Sequence, residues 1–458
     1  MPASLLNSLY YRDRYGSPAM RAVFDDTARI QAWLDVEAAL ARAQAETGLI
    51  PAAAAEAIAA AARVENLDLA AMEADYDRTG FAIQPLIRQL AGLLAPEAAG
   101  NARAFLHWGA TTQDILDTGL ALQMREGLDL LEGELDRALA ALAALARSHR
   151  DTPMAGRSFL QQAAPISFGY KAAVWLDELM RQRDRLAGMR ARALRLQCGG
   201  AVGTLAGMGD QALAVRAALA RGLDLPAPEI SWHNARDGWA ECVFWLAATG
   251  ASLGRIATEI AQLMRSEIGE LREPYAPGRG GSSAMPQKRN PVACPQVIAI
   301  AALLRDRPAA MLGAMVQEHE RGIAAMPVEW LVMPEAFLLT AGAFAQLNPV
   351  LEGLEVDAAR MRANLVADGG LMLASGVMMA LAPHLGSQPA HQAVGTASAR
   401  VIEGGGSLRD ALAASPSVAA HLDGPALEAL FDPAAHLGAA GAMVDLVLAR
   451  YDELSRKA

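Results

Sequence analysis

The chain has 458 residues, more than one hydrophobic core usually organises, so we expect two or three subdomains. Apolar residues make up 53% and aromatic residues 5%, and the formal net charge of −10 argues against a nucleic-acid partner. The longest apolar runs, such as 138–146, fall far short of the ~18 residues of a membrane span. No export signal opens the chain, so we expect a cytoplasmic protein without a membrane partner.

A helix with a recognisable start and end is predicted early in the chain. The Asp-Asp-Thr run at 25–27 offers N-cap side chains, and apolar residues follow at helical spacing through 30–40. Gly48 and Pro51 then predict the end of this helix. Shorter helices are expected up to about residue 100.

The middle of the chain predicts much longer helices. Four segments carry apolar residues at helical spacing with almost no internal proline: 114–149, 165–196, 233–271 and 291–320. At 1.5 Å per residue each spans roughly 45 Å, so we expect a bundle in which the helices have partners along their whole length. We find no strand-like alternation of useful length.

After about residue 350 the predicted helices become shorter and are interrupted by Gly and Pro. We therefore predict an all-α fold with three helical domains, at 1–105, 106–348 and 349–458. The loops between the long helices are rich in Gly and polar residues, and loops on a rigid scaffold are common places for catalytic groups.

Neither a metal nor another cofactor is expected. The three cysteines, Cys198, Cys242 and Cys294, lack CxxC spacing and are expected to be buried and reduced. The run 318–321 (Glu-His-Glu-Arg) combines acidic residues and a histidine, but adjacent helical residues point in different directions. We expect an interhelical polar network there instead.

The first polar stretch is HWGATTQD at 107–114, just before a long helix. Thr111 and Thr112 place two hydroxyls beside the unpaired N–H groups of a helix N-terminus, which is a suitable site for a carboxylate. The alternative is an ordinary N-cap.

The second polar stretch is GRSFLQQAAP at 156–165. Arg157 could hold a carboxylate with two parallel hydrogen bonds, with Gln161 and Gln162 as neutral donors. The alternative is a turn that starts a helix and exposes polar residues to solvent.

The third polar stretch, 278–291, contains three glycines and GSSAMPQKRNP. Only three of the 40 Lys and Arg residues are Lys. Because this chain uses Arg wherever a positive charge alone is needed, Lys288 is expected to have a specific role. A mobile loop could close over a ligand, with Ser282 as a base beside an ammonium and Asn290 as a donor. The alternative is a solvated surface loop.

A further candidate is Arg236, within WHNARD at the head of a long helix. Its guanidinium could meet a substrate carboxylate, and a structural ion pair is the equal alternative.

These three stretches, in this order on long helices, resemble the shared regions of the fumarase/aspartase superfamily. GSSAMPQKRNP at 281–291 is similar to the signature GSSxMPxKxNP at every specified position. HWGATTQDILDT and GRSFLQQAAPISFGYKAA are similar to the other two regions. QCGGAVGTLA, WHNARD and QEHERG most resemble the 3-carboxy-cis,cis-muconate cycloisomerase branch.

The resemblance implies a three-domain helical subunit in a homotetramer with a twenty-helix core and active sites shared by three chains. The superfamily's chemistry removes a proton α to a carboxylate, giving an aci-carboxylate, and a group then leaves the β carbon. The cycloisomerase branch adds a carboxylate reversibly to a conjugated diene acid. The product is a muconolactone of the protocatechuate (β-ketoadipate) route of aromatic degradation.

The resemblance also implies roles for individual residues. Ser282 is the base, and Lys288 and Asn290 stabilise the aci-carboxylate of a small di- or tricarboxylate substrate. The side chains expected to bind substrate are His107, Thr111, Thr112, Gln113, Arg157, Ser158, Gln161, Ser283 and Met285.

The chain departs from superfamily members that protonate their leaving group. Those proteins use a His in the second region and a Glu beyond KxNP, where this chain has Phe159 and Pro295. A leaving carboxylate has a conjugate acid of pKa about 4 and needs no general acid. The loss therefore favours lactone chemistry. Elimination of another stable anion, such as nitrite, or of an amine from a substituted succinate to give fumarate stays open, as does a catalytically silent structural relative.

Overall fold

A computed structural model of the chain describes residues 4–94 and 101–456. They fall into two compact units. Unit 1 comprises Met1–Glu134, Gln182–Leu253 and Ala299–Ala345, and unit 2 comprises Leu135–Arg181, Gly254–Ile298 and Gln346–Ala458. Helices predominate in both units, which confirms the predicted all-α class. The three predicted domain boundaries stay a prediction.

The helices are, in chain order, α1 (Arg12–Tyr15), α2 (Pro18–Phe24), α3 (Asp26–Glu46), α4 (Ala52–Ala61), α5 (Leu69–Thr79), α6 (Ile83–Leu93), α7 (Thr112–Ser148), α8 (Phe168–Ala193), α9 (Ala212–Leu223), α10 (Asp237–Leu263), α11 (Ala293–Leu304), α12 (Arg307–Ala314), α13 (Ala325–Glu352), α14 (Ala358–Val366), α15 (Ala374–Leu385), α16 (Ser387–Gly404), α17 (Leu408–Ala413), α18 (Pro416–Ala419), α19 (Gly424–Ala429) and α20 (Ala440–Ser455). The strands are β1 (Pro153–Ser158), β2 (Gln161–Ser167), β3 (Leu271–Arg272) and β4 (Glu355–Val356).

The helix predicted from the Asp-Asp-Thr run is confirmed as α3. The Asp25 side chain accepts a hydrogen bond from the backbone N–H of Ala28 at 2.8 Å, so it caps the helix start. At the other end Gly48 adopts the left-handed conformation (φ 76°), which turns the chain away after α3.

Three of the four predicted long helices are confirmed as α7, α8 and α10, which have 37, 26 and 27 residues. The prediction of one helix over 291–320 is wrong. The chain breaks near Asp306, and Pro308 in the first turn of α12 begins a second helix because it needs no N–H partner there.

A long helix near the end of the bundle region was missed. The 28-residue α13 contains three prolines, which interrupt the sequence pattern that predicts a helix. Its residues Met326–Glu352 are long and apolar enough to cross a membrane, but 61% of the most apolar window is buried inside the protein. Such burial is typical of a core helix.

Two small antiparallel sheets correct the expectation that strands are absent. Strands β1 and β2 form a hairpin in unit 2, with Pro153 paired to Ser167 and Ser158 to Gln161. Strand β3 pairs with β4. The hairpin sequence is poor in β-branched residues and shows no period-two pattern, so pairing across the turn forms the sheet, not intrinsic propensity.

Each unit has its own apolar core. In unit 1, α7 approaches α13 closely at Gly127, where a Cβ atom would lie 2.8 Å from the Phe337 ring. In unit 2, the short helices after residue 370 enclose a separate cluster that includes Val377, Leu381 and Leu408. These cores hold the loops that carry the candidate site.

Candidate active site

The stretch 107–114 at the start of α7, called the threonine motif below, is organised by one buried carboxylate. Asp114 is 3% exposed and accepts hydrogen bonds from the backbone N–H of Thr111 (3.1 Å), Gly199 (2.9 Å) and Gly200 (2.9 Å). The Nε2 atom of His233 lies 2.7 Å from the same carboxylate. Asp114 thus joins the helix start to the loop at 199–200 and fixes the backbone that carries the threonine hydroxyls.

The Thr111 hydroxyl accepts a hydrogen bond from a guanidinium rather than from an N–H group at the start of α7. Arg321 Nη1 donates to Thr111 Oγ1 at 2.8 Å, and Arg321 Nε donates to Gln113 Oε1 at 3.1 Å. Gln113 Nε2 donates to the His233 carbonyl and to Asp117. The amide of Gln113 is therefore engaged at both ends, so the geometry favours a supporting role over direct substrate binding.

For Arg236 the structure shows the ion pair and not an open guanidinium. Arg236 is 1% exposed, and its guanidinium bonds bidentately to Asp117 and to Glu329. It also lies 4.9 Å and 4.1 Å from the rings of Trp232 and Trp239. Burial raises the pKa of Glu329 above its ordinary value, although Arg236 opposes the shift. The predicted substrate contact of Arg236 has no support in this geometry.

His107 adopts a left-handed conformation (φ 57°) and pairs with a buried glutamate of α3. Its Nδ1 atom lies 2.5 Å from Oε1 of Glu37, which is 1% exposed. Burial acts to lower the pKa of His107, but the Glu37 carboxylate outweighs it and raises the pKa above its ordinary value. The His107 ring is thus held by a carboxylate of the protein itself.

Arg157, on β1 in unit 2, already holds a carboxylate. Its Nη1 and Nη2 atoms donate to both oxygens of Glu270 at 2.9 and 2.7 Å, and Glu270 is 0% exposed. Asn364 donates to the same carboxylate at 2.7 Å. The pair anchors the hairpin to its own unit, so the geometry does not support Arg157 as a substrate clamp.

The hairpin tip presents the second polar stretch to solvent. Phe159 and Leu160 form its two-residue turn with φ values of 51° and 64°, and they are 98% and 96% exposed. Ser158 and Gln161 face each other across this turn. The alternative of a helix-starting turn at 156–165 is wrong, because α8 begins only at Phe168.

The loop at 274–291, which carries Ser282 and Lys288 and is called the serine–lysine loop below, is anchored at both ends in unit 2. Glu273 accepts hydrogen bonds from the backbone N–H of Val292, Ala293 and Cys294 and so caps α11. Burial acts to raise the pKa of Glu273, but these backbone hydrogen bonds lower it below its ordinary value. Arg289 pairs bidentately with Glu355. The stretch 274–291 is thus held as a loop with a defined start and end.

Within this loop, Asn290 closes a turn. Both its backbone N–H and its side-chain amide donate to the Gly280 carbonyl, at 2.8 and 3.1 Å. Gly280 has φ 72°, and a Cβ atom there would collide with the Asn290 carbonyl, so only glycine fits without rearrangement. One N–H of the Asn290 amide therefore positions the loop, and the second N–H of that amide can still donate to an anion.

The candidate reactive residues, Ser282 and Lys288, lie between Gly280 and Asn290. Ser282 Oγ accepts hydrogen bonds from the backbone N–H of Ala284 (3.3 Å) and Met285 (3.1 Å). Such bonds stabilise an alkoxide more than a neutral hydroxyl. Ser283, Met285 and Lys288 are exposed, and Lys288 makes no side-chain hydrogen bond or ion pair within the described residues.

Each unit therefore carries its own group of candidate residues. Unit 1 brings together the motif at 107–114, the loop at 199–201 and Arg321, and unit 2 carries the hairpin tip and the serine–lysine loop. The supporting residues that sequence reasoning missed are Glu37, Asp114, Glu270, Glu273 and Arg321. Asp114 had a local signal, because an acid three residues after a helix cap is a known pattern, and Arg321 lies in the polar run at 318–321.

Among residues 4–94 and 101–456, no three His, Cys, Asp or Glu side chains form a group that could hold a metal ion. The three cysteines are buried, and burial raises their pKa values well above the ordinary range. Thiolate chemistry is therefore disfavoured at all three.

Comparison with known proteins identifies the family. A family model described as lyase matches residues 13–304, and one described as adenylosuccinate lyase C-terminus matches residues 370–447. The chain belongs to this lyase family of the fumarase/aspartase superfamily, and it is an enzyme.

Individual relatives are similar along nearly the whole chain. A 3-carboxy-cis,cis-muconate cycloisomerase from Pseudomonas aeruginosa is 45% identical over 99% of this chain and 98% of its own length. A nitrosuccinate lyase from Streptomyces davaonensis is 40% identical over 94% of this chain and 92% of its own length. The crystal structure of 3-carboxy-cis,cis-muconate lactonizing enzyme from Pseudomonas putida has a TM-score of 0.92 and 40% identity, covering 98% of this chain and 100% of that one.

Proposed function

We propose that this enzyme is a 3-carboxy-cis,cis-muconate cycloisomerase, which adds a substrate carboxylate reversibly to its own conjugated diene to form a muconolactone. One observation carries the proposal. The loop with Ser282 and Lys288 is complete, whereas Phe159 and Pro295 occupy the positions where superfamily members that protonate a leaving group have a His and a Glu.

The loop geometry supports Ser282 as the base. In lactone opening, its alkoxide removes the proton α to a carboxylate, and the resulting aci-carboxylate expels the ring carboxylate from the β carbon. Two backbone N–H groups already point at Ser282 Oγ, and they stabilise the charge of the alkoxide. Lactone formation runs through the same steps in reverse, so the Ser282 hydroxyl returns the proton to the α carbon.

The absence of the His and the Glu that protonate a leaving group fits a reaction in which a carboxylate adds or leaves. General acid catalysis contributes about 10²–10⁴ in rate where a poor leaving group must be protonated. A carboxylate with a conjugate acid of pKa about 4 departs unprotonated at neutral pH. Neither the exposed ring of Phe159 nor Pro295 in the first turn of α11 can transfer a proton.

We assign the remaining site residues as ligands of a di- or tricarboxylate. Lys288 and Asn290 stabilise the aci-carboxylate. The other proposed substrate ligands are His107, Thr111, Thr112, Ser158, Gln161, Ser283 and Met285. No cofactor enters this mechanism.

We further propose a cytoplasmic homotetramer whose active sites are shared by three chains. Support comes from apolar side chains that stay exposed on the long helices of the single chain. Val174 on α8 is 42% exposed, Phe244 on α10 is 58% exposed, and Leu331 on α13 is 67% exposed. Such side chains are suited to helix packing between subunits.

A second candidate is elimination of nitrite from nitrosuccinate. Nitrite is a stable anion that also needs no general acid, and the Streptomyces davaonensis relative is a nitrosuccinate lyase. This reaction would use the same base and the same aci-carboxylate.

The test follows the absorbance of the conjugated diene in 3-carboxy-cis,cis-muconate. We expect the purified enzyme to remove this absorbance and the Ser282→Ala variant to leave it. No turnover of the diene acid, together with nitrite release from nitrosuccinate, would replace the first candidate by the second.

A further inference from the structure

Arg321 lies in the segment between α12 and α13 and reaches back to the threonine motif. Its Nη1 atom donates to Thr111 Oγ1 at 2.8 Å and to the Ala201 carbonyl at 3.4 Å, and its Nε atom donates to Gln113 Oε1 at 3.1 Å. The guanidinium is therefore held in one orientation by three oxygens. All three belong to neutral groups.

The positive charge of Arg321 has no ion-pair partner in the described part of the chain. Within residues 4–94 and 101–456, Arg321 makes no ion pair, and its Nη2 atom makes no hydrogen bond. The two arginines that sequence patterns favoured differ in this respect, because Arg157 is paired with Glu270 and Arg236 with Asp117 and Glu329.

The two acids beside the threonine motif are already committed to other partners. Asp114 accepts three backbone N–H groups and contacts His233, and Asp117 is held by Arg236. A carboxylate arriving at Arg321 would thus meet an oriented cation without displacing an internal acid. The bond from Arg321 also uses an acceptor site of the Thr111 hydroxyl, so the hydroxyl proton remains free to donate to the same carboxylate.

The backbone around Arg321 is held in place. Asn234 donates a hydrogen bond to the His319 carbonyl, and the Gly322 N–H donates to Gln317 Oε1 at 3.3 Å. These bonds fix the segment on either side of the arginine. A preoriented guanidinium forms charge-assisted hydrogen bonds at lower entropic cost than a free side chain does.

We propose that Arg321, together with the Thr111 hydroxyl, binds one carboxylate of the substrate and selects for substrates that carry it. The inference rests on the proposed function, since it takes the substrate to be a small di- or tricarboxylate. It assigns the carboxylate clamp to Arg321, which the sequence placed only in a polar network at 318–321, instead of to Arg157 or Arg236.

The experiment compares Arg321→Ala with Arg125→Ala. Arg125 is a matched control because, within the described residues, its guanidinium likewise binds neutral oxygens alone, the carbonyls of Leu223 and Asp224, each at 2.8 Å. Titration calorimetry with tricarballylate, a tricarboxylate without a diene, measures anion binding directly. Steady-state kinetics with 3-carboxy-cis,cis-muconate give kcat and KM, with and without added guanidinium ion.

We expect Arg321→Ala to weaken tricarballylate binding and raise KM by about 10- to 100-fold, as for loss of a charge-assisted hydrogen-bond pair. kcat should change less than KM, and guanidinium ion should restore part of the binding. Arg125→Ala should behave as wild type. If Arg321→Ala does not fold, Arg321→Lys should also weaken tricarballylate binding and raise KM, but by a smaller factor. Lysine keeps the positive charge but lacks the planar guanidinium that forms two parallel hydrogen bonds.

Unchanged tricarballylate binding and KM in a folded Arg321 variant would overturn the proposal. A fall in kcat alone, without weaker anion binding and without rescue by guanidinium ion, would also overturn it by indicating a purely structural role. If the wild-type enzyme binds tricarballylate but does not convert the diene acid, the proposed function fails, and the calorimetric comparison still decides the role of Arg321.

Discussion

Replacing Asp114 by Asn tests how the threonine motif is held. The Asp114 carboxylate has four donors, with Gly199 N–H and His233 Nε2 at Oδ1 and Gly200 N–H and Thr111 N–H at Oδ2. Asparagine keeps one oxygen and turns an NH₂ group toward the other pair of donors. Two buried hydrogen bonds are lost, and at about 1–3 kcal/mol each the expected destabilisation is about 2–6 kcal/mol.

A matched control lies on the same helix. Asp129 pairs with Arg190 at 2.7 Å, but its side chain is 63% exposed, so Asp129→Asn should cost about 1 kcal/mol or less. Urea unfolding of both variants at one protein concentration measures the difference, because the stability of an oligomer depends on concentration. In Asp114→Asn we also expect kcat/KM to fall by about 10²-fold, since misplacement of about 1 Å has effects of this size. Equal stability of the two variants would refute the reasoning.

Three further predictions concern the base, the loop and the histidine. Ser282→Ala should lower kcat/KM by about 10³-fold or more with an unchanged melting temperature, because both hydrogen bonds of Ser282 Oγ to the described residues stay within its own loop. Near-normal activity would remove the base assignment. Gly280→Ala should lower kcat/KM at least tenfold, whereas Gly278→Ala, which has a similar φ of 78° but no atom within 4 Å of the added Cβ, should have the smaller effect. Equal kinetics of the two glycine variants would argue against the Gly280–Asn290 turn. Because the folded-state pKa of His107 is raised, its pairing with Glu37 stabilises the protein below the unfolded-state pKa, and this contribution is lost as pH rises through the folded-state pKa. Unfolding free energies should therefore separate wild type from Glu37→Gln more at about pH 6 than at about pH 9, and a pH-independent gap would contradict this.

The fold was predictable where its cause is local. The start of α3 follows from Asp25 beside the helix, and the long helices α7, α8 and α10 follow from apolar spacing. Prediction failed where packing overrides local pattern. Three prolines interrupt the pattern of α13, and strands β1 and β2 are formed by pairing across an exposed turn.

The candidate site was predictable where residues form a contiguous motif, as in the loop that carries Ser282 and Lys288. The partners of charged residues were not, because they lie far away in sequence. Arg157 and its partner Glu270 are separated by 113 positions, and Arg321 and Thr111 by 210. Whether an arginine is paired with an acid or bound to neutral groups thus depends on tertiary contacts, and a sequence motif does not contain these.

Proton NMR of the product formed from 3-carboxy-cis,cis-muconate in D₂O tests the central claim most directly. We predict a muconolactone that carries one deuterium at the carbon α to a carboxylate, because Ser282 delivers a solvent-exchanged proton there. Unchanged diene acid would contradict the account, and so would a lactone without deuterium at that carbon.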